Sequence, residues 1–162
     1  MTFSPESPAY AAIREGIALR EQSRAPAAKA LLETLVDDVE KGTDAFAKIF
    51  LAHSPADVQE TPEDELAWDL RALAFMDELT GQEAIARDNP GGKAALLPSL
   101  HLNLAADYRR LGDETTARLH YNLGKAHLNA LADDAYGDSI RAAFTDEAFQ
   151  QASGRSRGAV RR

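Results

Sequence analysis

The chain has 162 residues, 44% apolar and 27% charged, an ordinary balance for a globular protein able to bury a sizeable core. It contains no cysteine, which excludes disulfides, thiolate metal sites and thiol catalysis. Lys and Arg number 18 against 26 Asp and Glu; four arginines fall in the last ten residues, leaving 14 basic against 26 acidic residues and a body near −12 that would repel nucleic-acid phosphates.

Every long segment repeats its apolar residues at helical spacing, and none alternates with period two over a useful length, so the expected class is all-α. Ser7-Pro8 reads as cap and first helical residue of a helix running to about Gln22, with Tyr10, Ile13, Ile17 and Arg20 along one face. Pro26 opens a second helix carrying Leu31, Leu35 and Val39, which Gly42 ends. Thr43 caps a third, bearing Phe46, Ile49, Phe50 and His53; Ser54-Pro55 inside the pattern predicts a kink or break before about Gln59. Thr61-Pro62 starts a fourth, with three acids in its first turn and Leu66, Trp68, Leu70, Leu73 and Met76 as its apolar mass, ending near Leu79.

Residues 80–95 form the one long connection, broken by "NPGG". A fifth helix is expected over about 97–111 and a sixth, capped by Asp113, over about 114–131, with Gly112 between them. Asp133-Asp134 opens a seventh that carries Tyr136, Ile140, Phe144 and Phe149. The domain is expected to span 1–152, followed by a disordered basic tail, "SGRSRGAVRR", over 153–162. No run is long and apolar enough to cross a membrane, and "MTFSPESPAY" has no secretory pattern, so a cytoplasmic protein without a membrane partner is expected.

The stretch 101–128, "HLNLAADYRRLGDETTARLHYNLGKAHL", places small residues where two helices must come close and bulky ones around them. Leu104, Ala105, Tyr108, Gly112, Ala117, Tyr121 and Gly124 follow the spacing of the tetratricopeptide (TPR) repeat, so this unit resembles a TPR. It departs from the pattern at His101, where the early tryptophan belongs, and at Asn129, where the closing proline belongs. Gly16, Leu19, Ser23 and Ala28 repeat the spacing in the first helix pair. Leu51, Ala52 and Trp68 do so weakly in the second, with Pro55 where the aromatic belongs. "WDLRAL" and "LHLNLAADYRRLGD" are also similar to stretches of TPR-like proteins from high-GC bacteria. The resemblance covers about residues 8–131 and implies three antiparallel helical hairpins closed by the seventh helix as a cap.

Catalytic patterns are weak beside this. His120 and His127 share a helix face but stand two turns apart, no HExxH occurs, and no metal site is expected. "NPGGKAAL" lacks the earlier glycine of a phosphate loop and has Ala94 after its lysine. No nucleophile elbow is present. The expectation is therefore a non-enzymatic module without catalytic residues or cofactor. The resemblance implies a concave surface for a protein or peptide partner, formed by Tyr10, Ile13, Ile17 and Arg20, then Phe46, Ile49 and His53, then Leu102, Ala106, Arg109 and Arg110. A second copy of the chain would also be a fitting partner. The other reading is a helical small-ligand sensor or enzyme with a pocket near the 80–95 loop.

Overall fold

A computed structural model describes residues 8–41, 45–56, 59, 61–79, 91–145 and 149. The described residues are helical, with no strand among them. The helices are α1 (Pro8–Glu21), α2 (Ala25–Glu40), α3 (Ala45–Ala56), α4 (Pro62–Phe75), α5 (Leu97–Arg110), α6 (Glu114–Lys125) and α7 (Ala135–Ala143). Short 3₁₀ turns cover Gly92–Ala95 and Leu128–Ala130. The chain divides into two compact units, Met1–Arg87 and Asp88–Arg162, where the sequence suggests one domain over 1–152.

In the first unit α1 packs on α2, both touch α3, and α3 packs on α4. Ile13, Ala28, Leu32, Val39, Ala47 and Leu51 form its buried core, with Ile17, Leu19, Leu35, Val36 and Phe50 packed against them. Gly16 permits the closest α1–α2 approach: a Cβ there would lie 2.6 Å from Cδ2 of Leu32. The turn between the two helices is a Schellman reversal. Ser23 sits in the left-handed region at φ 60°, its amide donates to the Arg20 carbonyl (2.8 Å), and the Arg24 amide donates to the Leu19 carbonyl (2.9 Å).

Thr61 caps α4 as expected: its Oγ1 accepts from the Asp64 amide at 3.2 Å, with Pro62 in the first turn. The regular helix stops at Phe75 rather than Leu79, because the amides of Met76, Asp77, Glu78 and Leu79 each donate three residues back instead of four. Pro55 falls inside the last turn of α3, so the helix tolerates it there and ends one residue later. Ser7, Gly42 and Thr43 lie outside the described residues, as do residues 80–90 of the long connection and the tail.

In the second unit α5 packs along α6, and α7 touches α5. Ala105, Tyr121, Phe144 and Phe149 are buried together, with Leu102, Leu128 and Ile140 against them. The α5–α6 turn repeats the reversal at Ser23. Gly112 has φ +86°, its amide donates to Arg109 (2.9 Å), and the Asp113 amide donates to Tyr108 (2.8 Å). Asp113 then caps α6 through the Thr116 amide at 3.0 Å, and Asp134 caps α7 through the Gly137 amide at 2.7 Å. The sixth helix is shorter than expected, closing at Lys125 and continuing as a turn and the Leu128–Ala130 3₁₀ segment. Tyr136, named with Ile140, Phe144 and Phe149 for this helix, is 56% exposed in the first turn of α7.

Candidate functional site

The residues expected to form a partner surface separate into three groups. Ile13 and Ile49 are interior, at 0% and 3% exposure, and do not belong to an open surface; Ile13 is committed to the core of Ala28 and Leu32. Ile17 packs against that same core, and Arg20 is half-buried. The side chains of Tyr10 and Phe46 lie outside the described set. His53 is held by Asp69, with Nδ1 3.2 Å from Oδ1 of a carboxylate that is only 2% exposed. Nearby, Lys48 donates to Glu78 at 2.7 Å and lies over the Phe75 ring, while Arg71 pairs with Glu40 and stacks over Trp68 at 4.4 Å. The α3–α4 pair thus uses ion pairs and cation–aromatic contacts beside its apolar packing.

On α5, Leu102 is half-buried while Ala106 and Arg110 are exposed, which puts three expected residues along one face. Arg110 bridges to the buried Asp107 on its own helix, Nη2 to Oδ1 2.5 Å. Arg109 is a correction. It is 7% exposed, and its guanidinium carbon lies 3.5 Å from the centroid of the Phe149 ring. Arg118 lies over the same ring at 3.8 Å, and Glu114 stands 3.7 Å from Nε of Arg109. Burial, followed by the repulsion of Arg118, lowers the Arg109 pKa, against the pull of Glu114. The expected partner surface takes Arg109 and Arg110 together; packing claims Arg109.

The histidines give the least expected geometry. His101 projects from α5 and His120 from α6, and their Nδ1 atoms meet at 3.0 Å. The His120 ring stacks on Tyr108 with centroids 5.4 Å apart and planes inclined by 6°. Burial, then the fields of His120 and His127, push the His101 pKa down to about 4; burial lowers that of His120 as well. Both imidazoles are therefore neutral near pH 7, so one ring N–H can donate to the other ring's bare nitrogen. Counting along one helix misses this pair, because it forms across two. The sequence feature nearest to it is His101 standing where the resemblance expects a tryptophan.

Among the described residues no group of three or more His, Asp or Glu side chains is arranged to hold a metal ion, and no helix is long and apolar enough to cross a membrane. A concavity of about 500 Å³ is lined by Leu128, Asn129, Leu131, Asp133 and Arg141. Its arginine is already engaged: Nη2 donates to the carbonyls of Leu131 (2.8 Å) and Ala132 (3.1 Å), and Nη1 to Asp138 (3.0 Å). The alternative pocket near 80–95 falls largely outside the described residues. Set against protein-family models, curated proteins and solved structures, the chain matches none.

Proposed function

We propose that the chain is a non-enzymatic, TPR-like module that binds a protein or peptide in the cytoplasm. The observation that carries this reading is the repeated chain reversal. The turns at Ser23 and Gly112 each place one residue in the left-handed region with the same two closing hydrogen bonds, and each lies between a small residue on one helix and a buried alanine on the next. Gly16 with Ala28, and Ala105 with Ala117, stand at the same interval around their turns, and both alanines are fully buried. That is the spacing by which TPR hairpins bring their helices together.

A binding module also needs surface that its own packing leaves open. In the second unit Ala106 and Arg110 are exposed on α5, beside a Leu102 that is half-buried against the core, and Leu119 and Leu123 are exposed on α6. An acidic peptide with an apolar anchor suits the α5 strip. A second copy of this acidic chain would suit it too.

The test uses the full chain as bait in a lysate of its source, beside Ala106→Glu and Arg110→Glu. Both positions are exposed, and circular dichroism checks that Arg110→Glu, which sets a carboxylate beside the buried Asp107, keeps its helicity. The reading expects a partner retained by the wild type and lost from both variants, with light scattering reporting self-association on the same samples. Identical capture by all three proteins would overturn the α5 strip.

A further inference from the structure

We infer that the outward side of α6 is a docking face for an acidic amphipathic helix of a partner protein. It rests on the reading of the chain as a binding module, with a face separate from the α5 strip. A surface helix ordinarily turns its apolar residues to the core and its charged ones to water. Helix α6 departs from that rule. Ala117, Tyr121 and Gly124 are buried, yet on the opposite side Leu119 is 55% and Leu123 41% exposed. The two leucines stand four residues apart, neighbours along one side. Thr115 and Asn122 on the helix and Ala126 at its C-cap are exposed beside them, and no charged residue interrupts that side.

The charges of α6 are gathered on the flank next to Asn122. At 3.6 residues per turn, Arg118 and Lys125 fall about 20° apart around the helix and about 40–60° beyond Asn122. Both are exposed. Arg118 lies over the Phe149 ring at 3.8 Å and Lys125 over Tyr121 at 5.7 Å, so aromatic faces position both cations. Stacking uses the flat side of a guanidinium and leaves its N–H edge for an acceptor. Glu114, the single acid of α6, turns to Arg109 instead, 3.7 Å from its Nε. The flank is therefore basic on a chain whose net charge is −8. Two copies docked antiparallel through this side would set one basic flank beside the other, which disfavours a second copy and favours an acidic occupant.

A helix laid along this side meets apolar anchors at one edge, in Leu119 and Leu123, and two cations at the other. Between them Thr115, Asn122 and Ala126 are small enough to let the two axes come close. The occupant must then carry apolar residues three and four apart, with Asp or Glu along one margin. From Thr115 to Ala126 the face runs about 16 Å. A contact of that length is small and belongs with transient interfaces.

The experiment is a fluorescence-anisotropy titration of the full chain against two labelled synthetic helices of about 18 residues, long enough to hold helical structure. Both carry Leu along one side; one has Glu beside the leucines and the other Lys. Net charge alone favours the Lys helix on a chain of −8. A preference for the Glu helix, expected at about 10-fold or more, therefore reports the basic flank. Leu119→Ser combined with Leu123→Ser should weaken the Glu helix on the order of 10-fold. Lys125→Glu should abolish the preference. All three positions are exposed, and circular dichroism checks that the variants keep their helicity. Ala106→Glu, on α5, should bind the Glu helix as the wild type does. Equal affinity for the two helices, tighter binding of the Lys helix, or equal affinity in wild type and the double leucine variant overturns the proposal. So does a dimer in light scattering that the leucine variant loses and the Glu helix fails to compete away. Capture by the α5 strip is read from Ala106→Glu and this face from Leu119 and Leu123, so the two readings fail separately.

Discussion

Ser23 and Gly112 occupy the same place in the same reversal, yet only one of them is suited to it. Both adopt positive φ, 60° and 86°, and both receive the same pair of closing hydrogen bonds. A serine there strains its Cβ against the following carbonyl, at roughly 1–2 kcal/mol, which glycine avoids. Ser23→Gly is therefore expected to stabilise the first unit by about 0.5–1 kcal/mol, part of the gain being offset by the freer unfolded chain. Gly112→Ala, at a position with no atom within 4 Å of the added Cβ, should destabilise the second unit by about 1 kcal/mol through backbone strain alone. Urea unfolding of both variants checks the pair; shifts of the same sign would contradict the shared turn.

The His101–His120 contact makes stability depend on pH with a fixed sign. Burial holds His101 at about 4 and lowers His120, below the ordinary value of 6.5. Between about 6.5 and 4 the unfolded chain carries more protons than the folded one, so acidification favours unfolding. The contribution is whole above about 6.5 and is lost as the pH falls to 4, on the order of 2–3 kcal/mol for His101. Comparing urea midpoints at pH 7 and 4.5 for wild type and His101→Gln isolates it from the carboxylates. The wild type should lose more than the variant between the two pH values.

Arg109 and Arg110 are neighbours with opposite sensitivities. Arg109 stacks on Phe149 with its charge withdrawn from water, so Arg109→Ala should destabilise the second unit by about 2 kcal/mol through lost packing. Arg109→Met retains that packing and removes the desolvated charge, and should lie within about 1 kcal/mol of wild type. Arg110→Ala, which takes a half-exposed guanidinium from the buried Asp107 carboxylate, should destabilise by about 1 kcal/mol. Thermal melts of the three variants give the order.

Gly124 lets α6 approach both Phe144 and His101, and a Cβ there would stand 2.6 Å from Cζ of Phe144. Gly124→Ala should destabilise by about 1–3 kcal/mol, since that aromatic side chain is itself buried and has little room to yield. Near-wild-type stability, measured by the same unfolding curves, would show that the ring can move aside.

Helix positions were legible because caps and breakers are local. Thr61-Pro62, Asp113 and Asp134 declare helix starts within four residues, and Gly112 declares a stop, so no distant contact has to be known. Helix ends without such a marker were less legible: α4 and α6 both tighten into i−3 bonding before their apolar pattern stops, since periodicity continues where hydrogen bonding has already changed. The burial of Arg109 was hidden for another reason. Its partner, Phe149, stands far along the chain, and a cation on an aromatic face leaves no periodic signature. The His101–His120 pair needs the register between two helices, which spacing along either one does not supply.

The short reversals at Ser23 and Gly112 also bear on how the chain acquires its structure. A hairpin closed by so few residues gathers contacts between segments adjacent in sequence, so little loop entropy opposes its first encounter. Folding dominated by such local encounters is fast. Because the first unit draws its buried core from residues 13–51, those contacts can assemble while the second unit is still being synthesised, sparing the nascent chain a long exposure of Ile13, Leu32 and Leu51.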